Sequence, residues 1–375
     1  MTRVTEIREK TQLPADQQAA FDEIVSVYNG RVVGPFRVLL YSPELARRLS
    51  NIGAFLRLQS PFPPNARELS IIATARELDC EYEWFAHEPG AKRTGVSDAA
   101  IDAVRRNLPT TGLPPEEAEI IAYVRALLGA KRIPDAVFQP VLARYGVRGV
   151  VELTSTSGFY CTFACAMNAF GVPGDAPIDL PITPRTPNAA SRAPAFLPYE
   201  GAVPRIPLVA SRISLLPQDR AAFDDIAASR GGRVAGPFQA MLHLPVVAQR
   251  TAFAGSYVRF NSVLPADLRE LMFLATARAT QCAFEWNGHE AQARQAGVSE
   301  AAIATVRAGH TRGLTPAQTE AVELTRTLLE TNRVPEDLFQ ANLQRLGVQG
   351  LVELCASVGY YTMVAAVLNA FEVQP

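Results

Sequence analysis

The chain repeats itself once, and the repeat is nearly half its length. Arg67-Glu68-Leu69, Cys80, Glu83, Trp84 and His87 recur as Arg269-Glu270-Leu271, Cys282, Glu285, Trp286 and His289, every member displaced by 202 positions. Of the 21 residues from Arg67 to His87, 11 are identical to their counterparts, too many for coincidence. The correspondence continues outward. Arg31-Val32-Val33-Gly34-Pro35-Phe36 recurs as Arg233-Val234-Ala235-Gly236-Pro237-Phe238, and Gly95-Val96-Ser97 as Gly297-Val298-Ser299. Val151-Glu152-Leu153 and Asn168-Ala169-Phe170 recur 201 positions later, at Val352-Glu353-Leu354 and Asn369-Ala370-Phe371, so one residue was lost between. Solenoid repeats are shorter, about 20–50 residues. A whole domain was duplicated, and the chain must build one fold twice.

Length agrees, since 375 residues exceed what a single core usually serves. From Pro173 to Pro217 lie ten of the 28 prolines. Proline fixes φ and lacks a donor, so this stretch reads as an extended linker. The expected division is a first domain over 1–172, a linker over 173–209 and a second domain over 210–375. Within each copy the spacing is helical. Leu69, Ile72, Ala73 and Arg76 follow it, as do Leu271, Leu274, Ala275 and Arg278. Helix starts are signalled at Ser97-Asp98 and Ser299-Glu300, and by Leu113-Pro114-Pro115 and Leu314-Thr315-Pro316. A final apolar helix is expected over Gly149–Phe170, with its twin over Gly350–Phe371. No run alternates as a strand would. The expected fold is all-α, two tandem helical bundles of six to eight helices each.

Composition narrows the function. A net charge of −1 gives no basic field for nucleic acid. The polar start carries no apolar signal region, and no stretch reaches the roughly 18 apolar residues of a membrane span. A soluble cytoplasmic protein with a small-molecule substrate is expected. Five cysteines, an odd number, argue for reduced thiols.

Cys80, Glu83, Trp84 and His87 are spaced i, i+3, i+4, i+7, on one helical face. Glu68, 12 residues before Cys80, would lie about 18 Å away along an unbroken helix. It joins the site only if the chain turns between about Leu78 and Cys80. A glutamate beside an imidazole fixes its tautomer and raises its basicity, and a second carboxylate in an apolar pocket can serve as an acid. The cysteine could be a nucleophile. Each group also has a structural reading. Buried Glu–His pairs, lone cysteines and tryptophans are commonly core, and so are Cys161 and Cys165, which copy two replaces by Thr362 and Ala366. With one histidine per set, metal binding is not expected. Tyr160, Tyr361, Trp84 and Trp286 are candidates to touch substrate.

The pattern Glu68…Cys80-x-x-Glu83-x-x-x-His87, with its copy at Glu270, Cys282, Glu285 and His289, resembles the carboxymuconolactone decarboxylase and alkylhydroperoxidase D superfamily. That resemblance covers both copies and implies an all-α fold that forms homo-oligomers through helical interfaces. Its peroxidase branch attacks peroxide with the second cysteine of a Cys-x-x-Cys pair, a place held here by Glu83 and Glu285. A lone cysteine cannot close the internal disulfide of that cycle. Glu81-Tyr82-Glu83-Trp84-Phe85-Ala86-His87 is closer to the decarboxylase branch, where histidine and glutamate protonate the carbanion left by loss of CO2. The resemblance thus implies a cofactor-independent lyase acting on a small organic acid or lactone. His87 and His289 would be the acid–base groups, Glu83 and Glu285 the second proton-transfer carboxylates, Glu68 and Glu270 orienters, and Cys80 and Cys282 part of the lining. Two alternatives stand beside it: a thiol-dependent oxidoreductase using Cys80 or Cys282, and a non-catalytic helical binding or assembly module. Pro89-Gly90 after His87, against Ala291-Gln292 after His289, suggests unequal sites.

Overall fold

The computed structural model of the chain describes residues 2–176, 178–183, 185, 196 and 203–375. Among them there is no strand. The first copy runs α1 (Gln18–Val27), α2 (Gly34–Leu39), α3 (Pro43–Ala54), α4 (Pro64–Glu77), α5 (Glu81–Arg93), α6 (Asp98–Arg105), α7 (Pro115–Arg125) and α8 (Asp135–Phe170). The second repeats it as α9 (Arg220–Ala228), α10 (Pro237–Met241), α11 (Pro245–Phe260), α12 (Ala266–Ala279), α13 (Ala283–Gln295), α14 (Glu300–Arg307), α15 (Pro316–Thr331) and α16 (Glu336–Ala370). The start signals act as their chemistry predicts. Ser97 and Ser299 accept the amide hydrogen of the third helical residue, and prolines fill the first turn of α3, α4, α7, α11 and α15, where the missing N–H costs nothing.

The two final helices are longer than expected and bent. Gly146 and Gly347 sit at φ 66° and 67° inside α8 and α16, a region glycine enters freely, and each breaks its helix into two arms. The inner arms pack on each other at the centre of the molecule. A Cβ on Gly359 would lie 2.4 Å from Thr162 Cα, and one on Gly158 2.8 Å from Met363 Cγ. These glycines are repeat equivalents, so each helix brings its own gap to the crossing. By length and composition α16 qualifies as a membrane span, contrary to the expectation that no stretch would. Its apolar window is wholly buried within the fold, because its partner is α8 and the surrounding helices.

The copies are related as subunits of a two-fold dimer are, with equivalent contacts made in both directions. Arg132 donates to Gln281 O and Arg333 to Asp79 O, both at 3.0 Å. Arg48 reaches Phe253 O, and Arg250 reaches Asn51 O. One continuous apolar core includes residues of both copies. The expected linker lies partly outside the described residues. Its final part belongs structurally to the second copy, for Arg205 N donates to Phe371 O as Arg3 N does to Phe170 O.

Candidate active site

The turn that the spacing required is present in both copies. Asp79 and Gln281 adopt positive φ, 47° and 57°, which reverses the chain between α4 and α5 and between α12 and α13. The amides of Cys80 and Cys282 return to Ala75 O and Ala277 O, closing the helix end. Asn168 and Asn369, on the final helices, donate to Leu78 O and Thr280 O at 2.7 and 2.8 Å and pin each turn to the core. The hairpins lay α4 along α5 and α12 along α13. Glu68 Oε2 then meets His87 Nδ1, and Glu270 Oε2 meets His289 Nδ1, each at 2.8 Å. Glu83 lies 3.7 Å from His87 Nε2, and Glu285 3.5 Å from His289 Nε2. Both histidines thus stand between two carboxylates.

Around this shared frame the copies differ. In the first, the Tyr160 hydroxyl lies 3.1 Å from His87 Nε2. In the second, Tyr361 stacks on Phe273 with ring centroids 4.0 Å apart, a contact absent from copy one because Ile71 stands at that place. The charge states diverge accordingly. Burial lowers the His87 pKa further than its bond to Glu68 raises it, and burial pushes the Glu83 carboxyl up to about 8. For His289 burial acts the same way, but Glu270 and Glu285 together outweigh it and raise the pKa. His87 is thus the less basic imidazole and stands beside a Glu83 that holds its proton near neutrality, whereas His289 is the more basic of the two.

The second constellation opens to a cavity. A space of about 370 Å³ is lined by Glu285, His289, Tyr361, Arg230, Arg233 and Arg259, among others. Arg230 lies over the Phe238 ring, 4.1 Å from its centroid. Among the described residues, Arg230 Nε and Nη1 and Arg259 Nε are buried without a hydrogen-bond partner. Unpaired guanidinium N–H groups beside a cavity suit a carboxylate or another oxyanion. Sequence reasoning passed over these arginines. Arg233 and Arg259 repeat as Arg31 and Arg57, which was a usable signal; the place of Arg230 is held by Tyr28 in the first copy, so repetition could not reveal it.

The other candidates lie deeper. Cys80 and Cys282 cap α5 and α13, are fully buried and do not line the cavity. Burial pushes both thiols far up. Trp84 and Trp286 are also fully buried, donating to Glu88 at 2.7 Å and Glu290 at 2.9 Å, away from the cavity. No group of three His, Cys, Asp or Glu side chains among the described residues is disposed to hold a metal ion.

The carboxymuconolactone decarboxylase family model matches residues 43–126 and again 245–327, the stretches that carry the two constellations. Each copy therefore carries one match to this family, as expected of a tandem two-domain member. No curated protein matches the chain. Each matched segment runs from the third helix of its copy into the seventh and stops before the final helix. The family region therefore supplies the Glu–His frame, and α8 and α16 complete it with Tyr160 and Tyr361.

Proposed function

We propose that the second copy is the working site of a cofactor-independent lyase that acts on a small organic acid or lactone. The cavity carries this reading: it is lined by His289, whose basicity its two glutamates raise, by Glu285, and by arginines with unused donors. The substrate carboxylate would pair with Arg230 and Arg259. Cleavage of its bond to carbon releases CO2 and leaves the electron pair on the substrate as an enolate or carbanion. His289 then delivers its proton to that carbon, and Glu285 relays the replacement. General acid–base catalysis of this kind contributes about 10²–10⁴-fold. Glu270 holds the ring in place through Nδ1. The thiol-dependent alternative has weaker support, since both cysteines sit off the cavity with their thiolates disfavoured. A cytoplasmic location and a homo-oligomer joined through helical faces belong to the same proposal.

The test is CO2 release from a panel of lactone acids and short carboxylic acids. His289→Ala should lower kcat about 10²–10⁴-fold. Arg230→Ala should mainly raise KM, by about tenfold or more for a lost charge-assisted hydrogen bond. Turnover should fall at alkaline pH as His289 loses its proton. An unchanged kcat in His289→Ala would remove the assignment.

A further inference from the structure

We infer that the second site is the one that opens to its cavity, and that the first constellation is shut off from its own recess by Tyr28 and Phe163. The second cavity has a counterpart in copy one, but only its outer part. A recess of about 420 Å³ is lined by Val27, Tyr28, Asn29, Arg31, Arg57 and Leu58, among others. These are the repeat equivalents of Ser229, Arg230, Gly231, Arg233, Arg259 and Phe260, which line the outer part of the second cavity. The second cavity runs on to Glu285, His289, Tyr361 and Val364, whereas the first stops short of Glu83, His87, Tyr160 and Phe163.

Two substitutions between the repeats account for the barrier. Tyr28 stands where copy two has Arg230, and Phe163 where it has Val364. The Tyr28 ring packs on Phe36, centroids 5.1 Å apart, and Phe36 packs edge-on against Phe163 at 5.5 Å. Phe163 in turn meets Phe159 at 4.7 Å and Tyr160 at 6.1 Å, so an aromatic layer runs from the recess to the histidine. In copy two the ring at the matching position, Phe238, is faced by a guanidinium. Behind the layer the Tyr160 hydroxyl sits on His87 Nε2, and Glu68 holds Nδ1, so both ring nitrogens are engaged. Duplication has thus left one copy as a support, pairing α8 with α16 and its Arg132 with the second copy's turn at Gln281.

Chemical access tests this without reading turnover, so it stands or falls separately from the lyase proposal on which its catalytic meaning rests. The chain has four histidines: His87, His243, His289 and His310. The folded protein is treated with diethyl pyrocarbonate at neutral pH and the carbethoxylated peptides are quantified. The reagent prefers neutral imidazole, which favours His87 electronically, so protection of His87 would come from exclusion and from the contacts to its ring nitrogens, and the variants that open the layer but keep Tyr160 and Glu68 separate the two. His289 should label and His87 should label at least tenfold more slowly. Tyr28→Ala with Phe163→Val should bring His87 to within a few-fold of His289, and Tyr28→Arg alone should give a partial gain if the double variant misfolds. Equal labelling of His87 and His289 in the unaltered protein would overturn the inference. So would a protected His289, or continued protection of His87 in folded variants.

Discussion

Glu83→Gln should remove a pH-dependent destabilisation. Glu83 is 3% exposed, its Oε1 is buried with no hydrogen-bond partner among the described residues, and burial holds its pKa at about 8 against an ordinary 4.5. The folded chain therefore keeps this proton up to about pH 8, while the unfolded chain releases it near 4.5. Above 4.5 the folded state binds more protons, so stability falls as pH rises and levels off past 8. The full span is about 3.5 pH units, or about 5 kcal/mol at about 1.4 kcal/mol per unit. Between pH 6 and 8 it amounts to about 2–3 kcal/mol. Glutamine keeps the shape and cannot ionise. Urea unfolding followed by the fluorescence of Trp84 and Trp286, one in each copy, should show the variant gaining about 2–3 kcal/mol on the unaltered protein over that interval. Parallel pH curves would mean that Glu83 is solvated in the folded state, and the sealed character of the first site would be refuted with it.

Gly359→Ala should destabilise the chain more than Gly158→Ala. The new Cβ at 359 meets Thr162 backbone at 2.4 Å, whereas at 158 the nearest atom is the Met363 side chain. Overpacking costs about 1–3 kcal/mol, and denaturant midpoints will rank the two. All five cysteines are buried, so 5,5′-dithiobis(2-nitrobenzoic acid) should titrate none in the folded protein and five after denaturation. Rapid reaction of Cys80 or Cys282 in the folded state would restore the thiol-dependent reading.

The repeat, the helices and the Glu–His frame were legible because each rests on local rules. Helical spacing, proline at first turns and serine caps act over a few residues. The 202-residue displacement fixed which side chains recur together, and the i, i+4 spacing placed Glu83 by His87 and Glu285 by His289. Even the α4–α5 reversal followed from distance, since Glu68 could not otherwise reach the imidazole. Tertiary structure alone decided the rest. The crossing of α8 and α16 joined the copies into one core, and that long-range packing also explains why the apolar inner arm of α16 lies inside the protein. Access was the other such decision. Tyr28 and Arg230 lie some sixty residues before their histidines, and whether such a residue fills a cavity or lines it depends on how three helices meet. The shared motif therefore says that acid–base groups exist twice, and only packing says that one of them can be reached.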